Sequence, residues 1–213
     1  MHSTRAALVL AAVMCASALG LGAQTPAAPA AAGEPLFDGK TLTNWKPSAY
    51  TGQGKVTIEN GEILLWSGND LTGITWSGPA LPKTNYELTL QARRLEGRDF
   101  FAGITFPVDE SFCSLILGGW GGNVVGLSSL NGMDASENST SQSREFEMNR
   151  WYSVRIRVTP AKIESWLDER QIIDVELKGN NIDTRIEVDP SKPLGIATWR
   201  TKGGIKDVRL KRF

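Results

Sequence analysis

The chain has 213 residues, enough for one domain with appendages. Its 23 Lys and Arg balance 23 Asp and Glu, which excludes a nucleic-acid binder built on dense phosphate contacts.

The first residues read as an export leader. Met1-His2-Ser3-Thr4-Arg5 is a short positive start, Ala6 to Leu21 is apolar, and "SALGLGAQ" offers small residues for cleavage after Ala23. The apolar run is shorter than the ~20 residues of a spanning helix. Residues 1–23 are therefore expected to be a signal peptide, and the protein secreted or periplasmic, with no membrane span. Cys15 lies in the leader behind Met14, where lipidation would require a small residue. His2 is the only histidine, and Cys113 is the only cysteine outside the leader. Without histidine the remaining chain has no Ser-His-Asp or Cys-His catalyst and no histidine-held zinc or iron. No cofactor and no metal site are expected. Cys113, inside the apolar "SFCSLIL", reads as a small buried side chain.

"QTPAAPAAAG" (24–33) reads as a Pro/Ala linker, and the domain as 34–213. Within it the two-residue period dominates. "VTIENGEILLW" predicts a hairpin turning at Asn60-Gly61, a dipeptide in which both positions tolerate positive φ. "NYELTLQAR" places Tyr86, Leu88, Leu90 and Ala92 on one face and Glu87, Thr89, Gln91 and Arg93 on the other. "FFAGITF" and "SFCSLIL" are short apolar strands, and "GNVVGLSSLNG" runs into a turn at Asn131-Gly132. "WYSVRIRVT" alternates, "KIESWLD" and "QIIDVEL" pair across "DERQ", and "LGIATW" meets "KDVRLKRF" across Thr201 to Gly204. About a dozen strands and no amphipathic helix predict an all-β sandwich of two antiparallel sheets.

At the head of the domain, "LFDGKTLTNWK" supplies Leu36, Phe37, Asp38, Gly39, Lys40, Leu42 and Trp45. This stretch resembles the opening motif of the 3-keto-disaccharide hydrolase-like family, secreted bacterial domains of the concanavalin A-like lectin/glucanase jelly-roll fold. "IENGEIL", "YELTLQAR", "NRWYSVRIRVTPAKIESWLDERQIIDVE" and "PLGIATWRTKGGIKDVRLKRF" resemble its later strands, so the likeness covers most of 34–213. Phe37 and Trp45 are expected to pin the first strand to the core.

The resemblance implies a glycan substrate or ligand and cleavage of (3-keto-)glycosidic bonds, by hydrolysis or by elimination and hydration. Elimination needs a base, an acid and a stabiliser for the enolate. The central strand of many members carries a Tyr-Glu-x-Gln-x-x-Asp-like run, whereas "FCSLILG" (112–118) is nearly apolar here. A Glu-x-Asp-x-x-Glu strand is also absent. The alternative is a non-catalytic, lectin-like carbohydrate-binding module.

Candidate catalytic carboxylates are Asp109 and Glu110, in the loop of "PVDESF". Candidate sugar-binding residues are Glu87, Gln91 and Arg93 on the polar strand face, with Thr105 from "GITF". Trp66, Trp76 and Trp120 lie in or beside Gly/Ser-rich turns, and these with Trp199 could stack on a sugar. Trp45, Trp151 and Trp166 read as packing. The polar loop 131–143, with Asp134 and Glu137, reads as a lid or a tip. Asn138-Ser139-Thr140 spells a glycosylation sequon.

Overall fold

A computed structural model describes residues 33–213; the expected signal peptide and all but the last residue of the linker lie outside the described residues. The chain in order forms β1 (Glu34–Pro35), β2 (Trp45–Pro47), β3 (Val56–Glu59), β4 (Glu62–Leu65), β5 (Leu71–Trp76), β6 (Tyr86–Glu96) and β7 (Ala102–Val108). It continues with β8 (Ser111–Gly119), β9 (Val124–Ser128), β10 (Gln142–Ser143), β11 (Tyr152–Val158), β12 (Lys162–Leu167) and β13 (Arg170–Glu176). A 3-10 turn (Ile186–Ser191) precedes β14 (Gly195–Trp199) and β15 (Lys202–Arg212).

These strands make two antiparallel sheets packed as a jelly-roll sandwich. The first has the order β13-β12-β11-β6-β15-β4-β3, with β1 added to β15, and the second β10-β9-β8-β7-β14-β5-β2. The alternation read from the sequence decides what faces inward. Tyr86, Leu88, Leu90 and Ala92 of β6, and Tyr152, Val154, Ile156 and Val158 of β11, are buried against Ile104 and Phe106 of β7 and Leu115 and Leu117 of β8. Cys113 is fully buried in the same core, and desolvation pushes its thiol up to about 12, so it stays neutral.

The opening motif works as an anchor. Asp38 accepts the Lys40 and Thr41 amides at 2.8 and 2.7 Å, closing the turn, and those bonds hold its carboxyl below the usual range. Phe37 and Trp45 are buried; Trp45 meets Trp76 edge-on at 5.3 Å and donates its indole N–H to the Leu36 carbonyl. Trp76, a candidate for sugar stacking, is thus consumed in packing.

The last hairpin departs from expectation. Strand β15 already begins at Lys202, and the turn is made by Arg200, in the left-handed region at φ 44°. Gly203 and Gly204 serve close approach instead of turning: a Cβ on Gly203 would sit 2.7 Å from the Phe101 carbonyl.

Candidate functional site

Strand pairing aligns two rows of residues on the outer face of the second sheet. One row is Thr75, Gly195, Thr105, Ser114 and Ser128, taken across β5, β14, β7, β8 and β9. The next is Gly73, Ala197, Gly103, Ile116 and Gly126. Small side chains in successive strands hollow the sheet surface into a trough.

The trough is roofed in part by the chain itself. Residues 182–191 cross the face, anchored where the Ser129 amide donates to the Asp183 carbonyl, Ser111 Oγ to the Ile182 carbonyl, and Thr75 Oγ1 to the Pro190 carbonyl. On the β9 side the segment 133–140 packs over Gly126, where a Cβ would come within 2.9 Å of the Ala135 carbonyl. Asn138 pins this segment by donating to the Leu127, Met133 and Asp134 carbonyls. Asn138 is therefore a buried structural amide, and the polar loop is a fixed cover.

What remains open is a cavity of about 270 Å³. Leu71, Phe100, Ile116, Trp120, Val188 and Trp199 supply its apolar walls. Ser114 and Ser128 lie in its floor, and Asp99, Arg185 and Glu187 border it. The Phe100 and Trp199 rings stand 6.5 Å apart. Trp120 remains 42% exposed at the β8–β9 turn, with φ of 47°. A bulky residue in the left-handed region is strained and must be held by its surroundings. Asp99 does this from one side, its Oδ2 accepting the Gly121 amide at 3.2 Å. Arg94 does it from the other, reaching out of the core to donate Nη2 to the Gly122 carbonyl at 2.7 Å and the Gly118 carbonyl at 3.3 Å. Arg94 is only 6% exposed, and desolvation pulls its guanidinium below the ordinary range.

The charged wall is a relay. Arg185 donates to Glu187 at 2.9 Å and to Asp134 at 2.8 Å. The bond from Arg185 holds the Glu187 carboxyl below its ordinary value, so it stays ionised.

The residues expected from the sequence divide between the two sheets. Trp120 and Trp199 line the cavity. Thr105 sits in the hydroxyl row, hydrogen-bonded to Ser114 at 2.8 Å. Glu87, Gln91 and Arg93 lie on the first sheet, away from the cavity: Glu87 accepts Arg157 at 2.9 Å and Arg155 at 3.4 Å, and Arg93 pairs with Glu62 while stacking over Trp151 at 4.5 Å. Trp66 donates to Thr57 and carries Lys202 over its ring at 3.3 Å, also on the first sheet. Asp109 and Glu110 form the exposed β7–β8 turn, with Glu110 bound to Lys83 at 2.7 Å, and neither borders the cavity. The carboxylates that do border it, Asp99 and Glu187, carry no sequence signal beyond being acidic. Ser114 had one: it and Ile116 are the outward positions of a strand whose Cys113, Leu115 and Leu117 face the core.

Among the described residues there is no cluster of three or more Cys, Asp or Glu placed to hold a metal ion, and no helix long and apolar enough to cross a membrane.

A family model described as the 3-keto-alpha-glucoside-1,2-lyase-like domain matches residues 33–211. Solved structures share the fold at low identity. One comes from work on endo-acting O-glycanases expressed by prominent members of the human gut microbiota to initiate mucin breakdown (14% identity, 84% of this chain and 100% of that chain, TM-score 0.58). Another is the carbohydrate binding module CBM66 from Bacillus subtilis (15%, 79% and 95%, TM-score 0.51). A third is the Crh5 transglycosylase in complex with NAG (14%, 84% and 70%, TM-score 0.53). No curated protein matches the chain.

Proposed function

The chain belongs to the 3-keto-alpha-glucoside-1,2-lyase-like domain family, a carbohydrate-active family, and from that premise we propose that it binds a 3-keto-glucoside in the cavity of the second sheet and cleaves it by elimination. The observation that carries this reading is the cavity itself. Three aromatic rings, Phe100, Trp120 and Trp199, stand around a hollow that also has an ionised carboxylate, Glu187, and a guanidinium, Arg185, in its wall. Aromatic faces stack on the C–H faces of a sugar ring, as they do on other apolar surfaces.

The chemistry follows from the ketone. A carbonyl at C3 acidifies the C2–H bond. Glu187 takes that proton, and the C–H electron pair becomes the C2=C3 bond of an enolate whose oxygen faces the Arg185 guanidinium. Collapse of the enolate restores C3=O, forms C1=C2 and expels the C1 oxygen, which leaves protonated by water. Arg185 contributes charge where charge develops, and that is where a fixed donor is most effective. Asp99 is tied to two backbone amides and serves as scaffold.

The test is turnover of methyl 3-keto-α-glucoside, followed by ultraviolet absorbance of the enone product. Wild type turns over; Glu187→Gln binds without turnover; Trp120→Ala weakens both. A wild-type protein that binds the sugar but never releases methanol would leave the binding-module reading in its place. That second reading draws support from Glu187 being engaged by Arg185 and from the likeness in fold to a carbohydrate binding module. Absence of any binding would end both readings. Export is part of the proposal too, and N-terminal sequencing of the mature protein, expected to begin near Gln24, checks it.

A further inference from the structure

We infer that the cavity accepts a single, uncharged terminal pyranose end-on, read at its tip by the hydroxyls of Ser114 and Ser128. This rests on the saccharide reading above and goes further, naming which part of a glycan enters and what recognises it.

Closure of the trough argues for end-on insertion. On the β5–β14 side, Ser191 roofs Gly195, where a Cβ would meet the Ser191 Cβ at 2.6 Å, and the Tyr50 ring stands over Gly73, 3.1 Å from where its Cβ would be. Tyr50 and Ser191 are joined by a 2.6 Å hydrogen bond. On the β9 side Ala135 and Thr140 roof Gly126. Beyond the hydroxyl row the crossing segment is bonded to Ser111 and Ser129. A polysaccharide cannot run through a hollow closed on those sides. At about 270 Å³ the cavity also falls just below the ~300–1,000 Å³ of sites for drug-sized ligands, a scale suited to one ring.

The floor argues for a hydroxyl. Ser128 is 2% exposed, lines the cavity, and its Oγ has no hydrogen-bond partner within the protein. Buried polar atoms are nearly always paired, so an orphan on a residue that lines a cavity points to a group supplied from outside. Its cross-strand neighbour Ser114 is paired with Thr105, where either oxygen can donate, so this pair can turn a donor or an acceptor to the same ligand.

The charge balance argues for a neutral ring. Asp99 and Glu187 border the cavity against one guanidinium, Arg185, which is already shared with Asp134. A uronate or sulfated sugar would meet net negative charge.

The experiment uses the purified protein and titration calorimetry. The probes are methyl glycosides of neutral hexoses including the 3-keto-α-glucoside, the matching di- and trisaccharides, and methyl glucuronide. Expected are affinities within about threefold between one ring and three, no glucuronide binding, and about a five- to tenfold loss in Ser128→Ala. The melting temperature of Ser128→Ala should hold or rise, because no internal bond is lost. A trisaccharide that binds more than tenfold better than its terminal ring, or Ser128→Ala binding like wild type, overturns this inference and leaves the saccharide reading standing. If no saccharide of any length binds, both fall together.

Discussion

On the outer face of the first sheet Glu87 is gripped by Arg155 and Arg157, Arg93 by Glu62, and Trp151, Trp166 and Trp66 each carry a cation over the ring. On the outer face of the second, glycines alternate with hydroxyl residues and the rings of Trp120 and Trp199 border open space. The first face looks more like a recognition surface in sequence, with its charges and planar groups in register. Its charges are nevertheless consumed by one another. The second face offers little polarity, but there the Ser128 hydroxyl is left unpaired beside the cavity. A face rich in functional groups binds nothing if each group already has its partner.

The strongest way to break this contrast is to release one of those partners. Glu62 is buried beneath Arg93, with side-chain exposures of 7% and 22%. Glu62→Gln leaves a half-buried guanidinium without its counter-ion, which should lower unfolding free energy by about 2–3 kcal/mol. Urea unfolding measures the loss, and sugar affinity at the second sheet should not change. A matching fall in affinity would show that the two faces are not separate.

A somewhat smaller effect should appear on the other side. Trp120→Ala removes a cavity wall and should weaken saccharide binding by about 1–2 kcal/mol, roughly tenfold, with little effect on stability because the ring is exposed. Trp166→Ala is the control: Arg155 lies 3.7 Å over its ring on the first sheet, and its loss should leave binding untouched.

The same contrast explains what could be read from the sequence. The alternation in β6 and β11 was legible because one face meets the core and the other meets water. The motif around Phe37, Asp38 and Trp45 was legible because a tight turn and two large rings have one structural use. The cavity was hidden for the opposite reason. Strands β7 and β8 are buried on both faces, one by the core and one by the chain folded over them, so they read as plain apolar runs and mask Ser114 in their middle. Arg185, Glu187 and Val188 reach the cavity from a segment without periodicity, and only the crossing of that segment over the sheet puts them there. Gly103 and Gly126 signalled nothing by themselves; their meaning lies in cross-strand register, which one chain's pattern does not express.

Arg94 joins the two sheets from the core side, and its removal sharpens the comparison. It leaves the core side of β6 and ends on the carbonyls either side of Trp120. It is a positioning residue. Arg94→Met keeps the volume and discards the buried charge, so Trp120 should lose its fixed orientation and affinity should fall by about 1 kcal/mol. In the Trp120→Ala background the same substitution should cost no further affinity, and that non-additivity separates positioning from general damage. Additive losses would mean that Arg94 supports the cavity by some other route.

The smallest expected effect is in pH, and its sign follows from Glu187. The bond from Arg185 depresses the folded carboxyl below its ordinary value of 4.5. The pair's contribution is therefore complete above that value and disappears only as pH falls through the lower folded one. Both side chains are about half exposed, so water screens the pair and its weight in stability is slight. Sugar affinity should stay flat from pH 7 to 5 and decline only below about 4.5. Glu187→Gln should remove that acid limb by binding at neutral pH as weakly as the wild type does at its acid limit, because the amide is uncharged throughout. If turnover uses this carboxylate as base, its acid limb lies in the same range. A loss of affinity already present between pH 7 and 5 would mean that another group controls the cavity, because no ionisation of Glu187 takes place there.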